Sequence, residues 1–296
     1  MMKTNDNLFL QILLPFVSKY LTKFIPPLAI LIFSNASAAE YHLYLLAGQS
    51  NMDGRGKTAN LTSAQKKTSS SSIIFYRNPP HSSNTWKKLK PGFSIPPRFK
   101  GKLPSPTFGP EIGFTTTMEK AQPKQKFALI KGSKGGTNLR SDWSPGKKNQ
   151  PETQGPQYRN FIETIKLATT QLKDEGHTYK LSGLLWHQGE SDSKTGTEKH
   201  HKRLLQLISR IREDTETPEL PVILGEVFDN EKRDKVRAAI RLTAEEASLT
   251  ELVSSEGTTT SDPGTHFDAK SQLLLGQRFA AAILEMQADT KPITQP

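Results

Sequence analysis

The 296-residue chain contains no cysteine. That removes disulfides, thiolate nucleophiles and cysteine metal sites in one step, so stability must come from an ordinary buried core. Long apolar runs are scarce as well. The stretch Phe24 to Phe33 is short of the roughly 20 residues needed to span a bilayer. It follows Lys19 and Lys23 and precedes Ser34-Asn35-Ala36-Ser37-Ala38-Ala39, in which Ala36-Ser37-Ala38 fits the pattern of signal-peptidase cleavage. A second apolar piece, Leu8 to Val17, keeps an uncleaved anchor as the alternative. The expectation is a leader over residues 1–38, an exported domain over 39–288 that is periplasmic or secreted, and a frayed tail over 289–296.

Acidic residues are missing from one long stretch. Between Gly54 and Pro110 the chain carries eleven basic side chains and no Asp or Glu. They are Arg55, Lys57, Lys66, Lys67, Arg77, Lys87, Lys88, Lys90, Arg98, Lys100 and Lys102. The net charge is +11, and this stretch accounts for all the excess outside the leader. Two readings follow: a solvated, irregular insertion over 57–107, or a surface that attracts an anionic polymer. Nucleic acid is the less fitting polymer, because no nucleic-acid-binding motif is visible.

What is present is alternation. Runs of strand length, Tyr41–Ala47, Phe127–Lys131, Leu181–Trp186, Val222–Val227 and Glu251–Ser254, are separated by helical patterns. The helices are expected over Tyr158–Glu175, Thr197–Glu216, Glu231–Ser248 and Ala269–Gln287. In the first, Phe161, Ile165, Ala168 and Leu172 share one face and Gly176 stops the helix. This order predicts an α/β fold, a mostly parallel sheet with helices on both faces. Ligands in such sheets bind beyond the carboxyl ends of the strands. The 57–107 segment, with one strand candidate at Ile73–Tyr76, is expected to stay outside the alternation and run over that face.

Four strand ends carry chemistry. Ser50 follows the first, Gly135-Gly136-Thr137 the second, His187-Gln188-Gly189-Glu190 the third, and Asp262 with His266 the last. A serine needs a base to take its proton, and histidine suits that near neutral pH. The histidine needs a carboxylate to fix its tautomer. An oxyanion needs preorganised donors, which the N–H groups of Ser50 and of Gly135 or Gly136, with the Gln188 amide, would supply. Each piece also has an ordinary reading: a glycine turn, a helix cap, a loop histidine, an Asp-Pro-Gly turn. Trp186 reads as core or as a substrate platform.

GQSNM (Gly48–Met52), FGPEIGF (Phe108–Phe114), GGT (Gly135–Thr137), WHQGESD (Trp186–Asp192) and HFDAKSQLLLG (His266–Gly276) together resemble the signature blocks of sialate O-acetylesterase-type carbohydrate esterases. These are SGNH hydrolases near the sixth carbohydrate esterase family. The resemblance implies a three-layer α/β/α sandwich, SGNH-hydrolase or flavodoxin-like, and cofactor-free removal of acetyl groups from polysaccharide or sialic-acid-type sugar. It implies Ser50 as nucleophile, His266 as base, Gln188 with the Ser50 and Gly135 or Gly136 amides as oxyanion donors, and Asn51 and Trp186 at the substrate. The family's acidic residue stands three before the histidine. Here Pro263 holds that place, Asp262 is four before, and Glu190 is the other candidate to orient His266. Both carboxylates are expected to contribute. An inactive carbohydrate-binding protein on the same fold is the alternative, and an esterase of lipids or thioesters a third reading. The basic segment favours a polar, acidic glycan as partner.

Overall fold

The computed structural model describes residues 38–67, 71–94 and 105–289. Six parallel strands build one sheet: Glu40–Gly48 (β1), Ile73–Asn78 (β2), Lys126–Ser133 (β3), Thr178–His187 (β4), Val222–Gly225 (β5) and Thr250–Val253 (β6). Their spatial order is β6-β5-β4-β1-β3-β2, with short antiparallel pieces His81–Ser82 and Lys87–Lys88 paired to β2. The principal helices are Ser50–Asp53 (α1), Glu111–Ala121 (α2), Pro156–Asp174 (α3), Thr197–Asp214 (α4), Asp234–Glu246 (α5) and Ala269–Asp289 (α6).

The two-residue period of the strands makes the layers. Tyr41, Leu43, Leu45 and Ala47 of β1 face a core completed by Phe161 and Leu172 of α3, Leu204 and Leu207 of α4, and Val236 and Ile240 of α5. Tyr44 and Leu46 point the other way, to Ile112 and Phe114 of α2 and Phe279 and Ile283 of α6. The result is a three-layer α/β/α sandwich, and β1 lies at its topological switch point. The chain leaves β1 toward one side for β2 and β3, then crosses to the other for β4, β5 and β6.

Two features depart from the sequence reading. The segment expected to stay outside the alternation supplies β2, which pairs in parallel with β3 and buries Ile74, Phe75 and Tyr76. The segment is polar on average, yet six residues suffice to extend a sheet edge. Helix α2 was not expected, because Gly113 and Thr115–Thr117 are weak helix formers. It is fixed by packing. A Cβ on Gly113 would stand 2.2 Å from the Leu273 carbonyl oxygen, and one on Gly276 would stand 2.2 Å from that of Pro110. Helices α2 and α6 therefore cross at backbone contact, which only glycine allows.

The expected leader lies outside the described residues except for Ala38, as does the tail beyond Asp289. Among the described residues no helix is long and apolar enough to cross a membrane.

Candidate active site

Strands β3, β1 and β4 end level with one another. Gly48 pairs with Ser133 on one side and His187 on the other. Residues 49–50, 134–135 and 188 thus emerge together at the carboxyl edge. A Cβ on Gly48 would lie 2.0 Å from the His187 carbonyl oxygen, and its φ is +143°, so the turn after β1 requires glycine. Gln49 then ties the loops: its N–H donates to the His187 carbonyl at 3.0 Å, and its Oε1 accepts from the N–H groups of Gly189 and Ser191.

Ser50 opens the single turn α1 and is almost wholly buried. Its Oγ lies 3.1 Å from His266 Nε2, and His266 Nδ1 lies 2.5 Å from Asp262 Oδ2. A carboxylate only accepts, so Nδ1 carries the proton and Nε2 is left to accept from the serine hydroxyl. The four-residue spacing works because the chain folds back over Asp262. Its Oδ1 accepts from the N–H groups of Thr265 at 3.1 Å and His266 at 2.7 Å, with Gly264 in the left-handed region at φ +70°. Partial burial pushes this carboxyl up, but the His266 N–H, its imidazole and the Thr265 N–H outweigh that, and Asp262 sits below the usual aspartate range.

Glu190 does not touch His266, whose two ring nitrogens are occupied by Asp262 and Ser50. Its Oε1 accepts from the Asn51 amide. Asn51 in turn donates to the Thr265 carbonyl at 2.9 Å and accepts from the Phe267 N–H at 3.0 Å. Glu190 therefore acts on the histidine loop at one remove. Asn51, fully committed and 1% exposed, has no free group for substrate. Trp186 is also 1% exposed and packs edge-on against Trp143 at 4.9 Å, so it is core and not a platform.

Gln188 is at the third strand end, but its amide nitrogen is spent. Nε2 donates to Asp192 Oδ2 at 2.6 Å and faces the Thr137 carbonyl and Gln49 Oε1 at 3.2 and 3.3 Å. Asp192 Oδ2 also accepts from the Leu139 N–H, which fixes the carboxylate that fixes the amide. Asp192 thus does bracing that the sequence reading assigned to no residue, whereas Glu190, expected to orient His266 directly, reaches the histidine loop through Asn51. Gly135 lies against the serine: a Cβ there would be 3.4 Å from Ser50 Cβ. The N–H groups of Ser50 and Gly135 find no acceptor among the described residues. Gly136, exposed at φ +76°, completes the turn and faces open space.

The sequence reading missed two supports. Arg233 donates to the Gly264 carbonyl at 2.8 Å and to Thr265 Oγ1 at 3.2 Å, holding the histidine loop from the α5 side. Burial lowers its pKa, and the nearby Glu190 and Asp262 charges offset part of that. Asp53, buried beneath α1, accepts from Tyr76 at 2.9 Å, Asn78 at 3.1 Å and Arg55 at 2.7 Å. A lone acid followed by Arg55 just after GQSNM was the available signal. Beneath it Lys131 Nζ, fully buried, donates to Glu111 at 2.8 Å and to the Asp53 carbonyl at 2.7 Å, which is the work of the glutamate in FGPEIGF. Among the described residues no group of three or more His, Asp or Glu side chains is arranged to hold a metal ion.

A parallel α/β sheet that gathers serine, imidazole and carboxylate at its carboxyl edge defines an α/β esterase architecture. The chain belongs to the carbohydrate esterase, sialic acid-specific acetylesterase family, whose profile matches residues 40–285. It is accordingly a carboxylic ester hydrolase that removes acetyl groups. Among solved structures it is similar to a protein of Arabidopsis thaliana, at 20% identity and TM-score 0.66 over 84% of this chain and 99% of that one. It is similar to NanS, at 16% identity and TM-score 0.63 over 86% and 99%. A carbohydrate acetylesterase from Xanthomonas citri aligns at 15% identity and TM-score 0.56, over 85% of this chain and 57% of that one. These likenesses concern the fold. No curated protein matches the sequence.

Proposed function

We propose that this protein is an exported serine esterase that deacetylates carbohydrate through an acetyl-enzyme. The continuous hydrogen-bond line from Ser50 through His266 to Asp262 carries the reading. Ser50 Oγ attacks the acetyl carbonyl carbon while His266 Nε2 takes the hydroxyl proton. The oxyanion faces the Ser50 and Gly135 N–H groups, and their lack of acceptors among the described residues supports that role. Collapse breaks the bond to the sugar oxygen, which leaves with the proton from His266. Water then attacks the acetyl-enzyme with His266 again as base; acetate departs and Ser50 regains its proton. Asp262 holds the tautomer throughout. Glu190, Gln188 and Asn51 position this set and do not enter it.

The non-catalytic binding alternative drew on the displacement of Asp262 in sequence, and the 2.5 Å contact to His266 removes that ground. Ser50→Ala should abolish acetate release from an acetylated glycan while leaving the fold intact by circular dichroism. Turnover by that variant at the wild-type rate would end the proposal. Export is tested separately: the N-terminus of the protein recovered from outside the cytoplasm should begin near Ala39.

A further inference from the structure

Residues 261–266 carry both Asp262 and His266, yet they form neither helix nor strand. The Ser261 N–H closes the loop on the His266 carbonyl at 2.8 Å, and the Gly264 N–H turns it on the Asp262 carbonyl at 2.6 Å. No sheet ladder or helix fixes the base, so its place is left to side chains from other elements. Asn51 holds the loop from α1. A second hold comes from residues 226–233, which join β5 to α5.

Arg233 is 6% exposed and stands at the N-cap of α5, yet its side chain does not cap that helix. It reaches across to the histidine loop. Nη1 donates to the Gly264 carbonyl at 2.8 Å and Nη2 to Thr265 Oγ1 at 3.2 Å. Asn230 Nδ2 donates to the same Gly264 carbonyl at 3.1 Å, and a Cβ on Gly264 would lie 3.0 Å from Asn230 Cβ. Thr265, the residue before the base, is thus held at three points: its hydroxyl by Arg233, its carbonyl by Asn51 and its N–H by Asp262. The spacing makes this hold necessary. Three residues, Pro263, Gly264 and Thr265, separate the acid from the base, and each is backbone that must be ordered. One planar guanidinium fixes two consecutive residues of that link, which a single ammonium does less well.

We infer that Arg233, assisted by Asn230, is a positioning residue for the base: by fixing Gly264 and Thr265 it keeps His266 Nε2 in reach of Ser50 and Nδ1 in reach of Asp262 across the four-residue spacing. Arg233 touches neither the substrate nor the transferred proton. This rests on the esterase reading above and adds the element that sets its histidine.

The test uses the full-length protein and 4-nitrophenyl acetate. Arg233→Met should lower kcat about ten- to hundred-fold and leave KM within about two-fold, as a misplaced base does. Arg233→Lys, which keeps the charge but not the fork, should fall in between. Added methylguanidine should restore part of the loss in Arg233→Met and none in Ser50→Ala. Thr265→Val removes only the Nη2 acceptor; it should lose less than about ten-fold and cost little more when combined with Arg233→Met. Arg212→Met, which releases the carbonyls of Leu220, Ser248 and Leu249 away from the site, should lower Tm and leave kcat unchanged. Wild-type kcat in Arg233→Met, a rise in KM alone, or losses in the double variant that multiply in full overturns the inference. If Arg233→Met fails to fold, Arg233→Lys and Thr265→Val decide, and wild-type kcat in both overturns it. If the wild type hydrolyses no ester, the esterase reading fails, and proton NMR still tests the clamp. The low-field proton between His266 Nδ1 and Asp262 should be present in the wild type and lost to exchange in the Arg233 variants; a signal that persists in them overturns the inference.

Discussion

Asn51 holds the chain on both sides of His266, donating to the carbonyl of Thr265 and accepting from the N–H of Phe267. The residue after the nucleophile thus sets the position of the base from 215 residues away in sequence. Asn51→Ala should lower kcat about ten- to hundred-fold with little change in KM, since misplacing a base by a fraction of an ångström carries that scale of loss. A rise in KM alone would mean that Asn51 meets substrate after all. The same variant leaves the Glu190 carboxylate buried without its donor, so it should also lower stability by about 1–3 kcal/mol, read from denaturant unfolding.

Asp262 and Glu190 should separate cleanly. In Asp262→Asn the side-chain oxygen can still accept from the backbone of the turn, but an amide facing Nδ1 drives the imidazole proton to Nε2. The histidine can then no longer accept from Ser50. The expected fall in kcat is about a hundred- to ten-thousand-fold. Glu190→Gln should cost less than about ten-fold, because it acts through Asn51 and can keep one hydrogen bond there. Equal losses in the two variants would show that the orienting role is shared.

Trp186 should behave as a core residue. Trp186→Ala should destabilise the protein by about 3–5 kcal/mol, as removal of a buried aromatic does, because the ring seals the core against Trp143. Trp186→Phe should lose less and leave KM for the sugar ester unchanged. A changed KM with unchanged stability would return Trp186 to the substrate surface.

Stability should fall between pH 6.5 and 4. Burial lowers the pKa of His187, which a nearby Glu190 only partly offsets, and lowers that of His200 to about 4, against the opposing pull of Asp192. Both histidines ionise near 6.5 when unfolded. As pH drops through that value the unfolded chain gains protons that the folded chain refuses, so folding weakens until the folded groups titrate. Asp262 works lower down: its depressed carboxyl stabilises the fold above the ordinary value of 3.8 and loses that contribution as pH falls further. Thermal melts at half-unit pH steps should show the first loss, of up to about 3 kcal/mol from His200. His200→Leu should flatten it. A variant with the wild-type pH slope would place the proton uptake elsewhere.

Alternation of apolar runs with helical periods is enough to predict parallel strands and two helical layers, because each element must bury one face and the period says which. Short motifs at strand ends are enough to mark Ser50, Gly135, Gln188, Asp262 and His266 as neighbours, since a parallel sheet delivers its carboxyl ends to one edge. Composition fixes the absence of thiol chemistry and the basic stretch after Gly54. What the chain could not disclose is which polar group faces which. Asn51, Gln188 and Glu190 have the chemistry of contact groups, yet each is consumed by another polar group of the fold, and Trp186 is buried because helices cover both faces of the sheet. Helix α2 is set by the Gly113–Gly276 crossing against weak local preference, and β2, locally strand-like over Ile73–Tyr76, is drawn into the sheet by the edge beside β3. The four-residue reach from Asp262 to His266 closes only because backbone N–H groups pull the carboxylate into the turn. Local sequence sets periods and strand ends; pairings between distant polar groups depend on distances that only the packed chain defines.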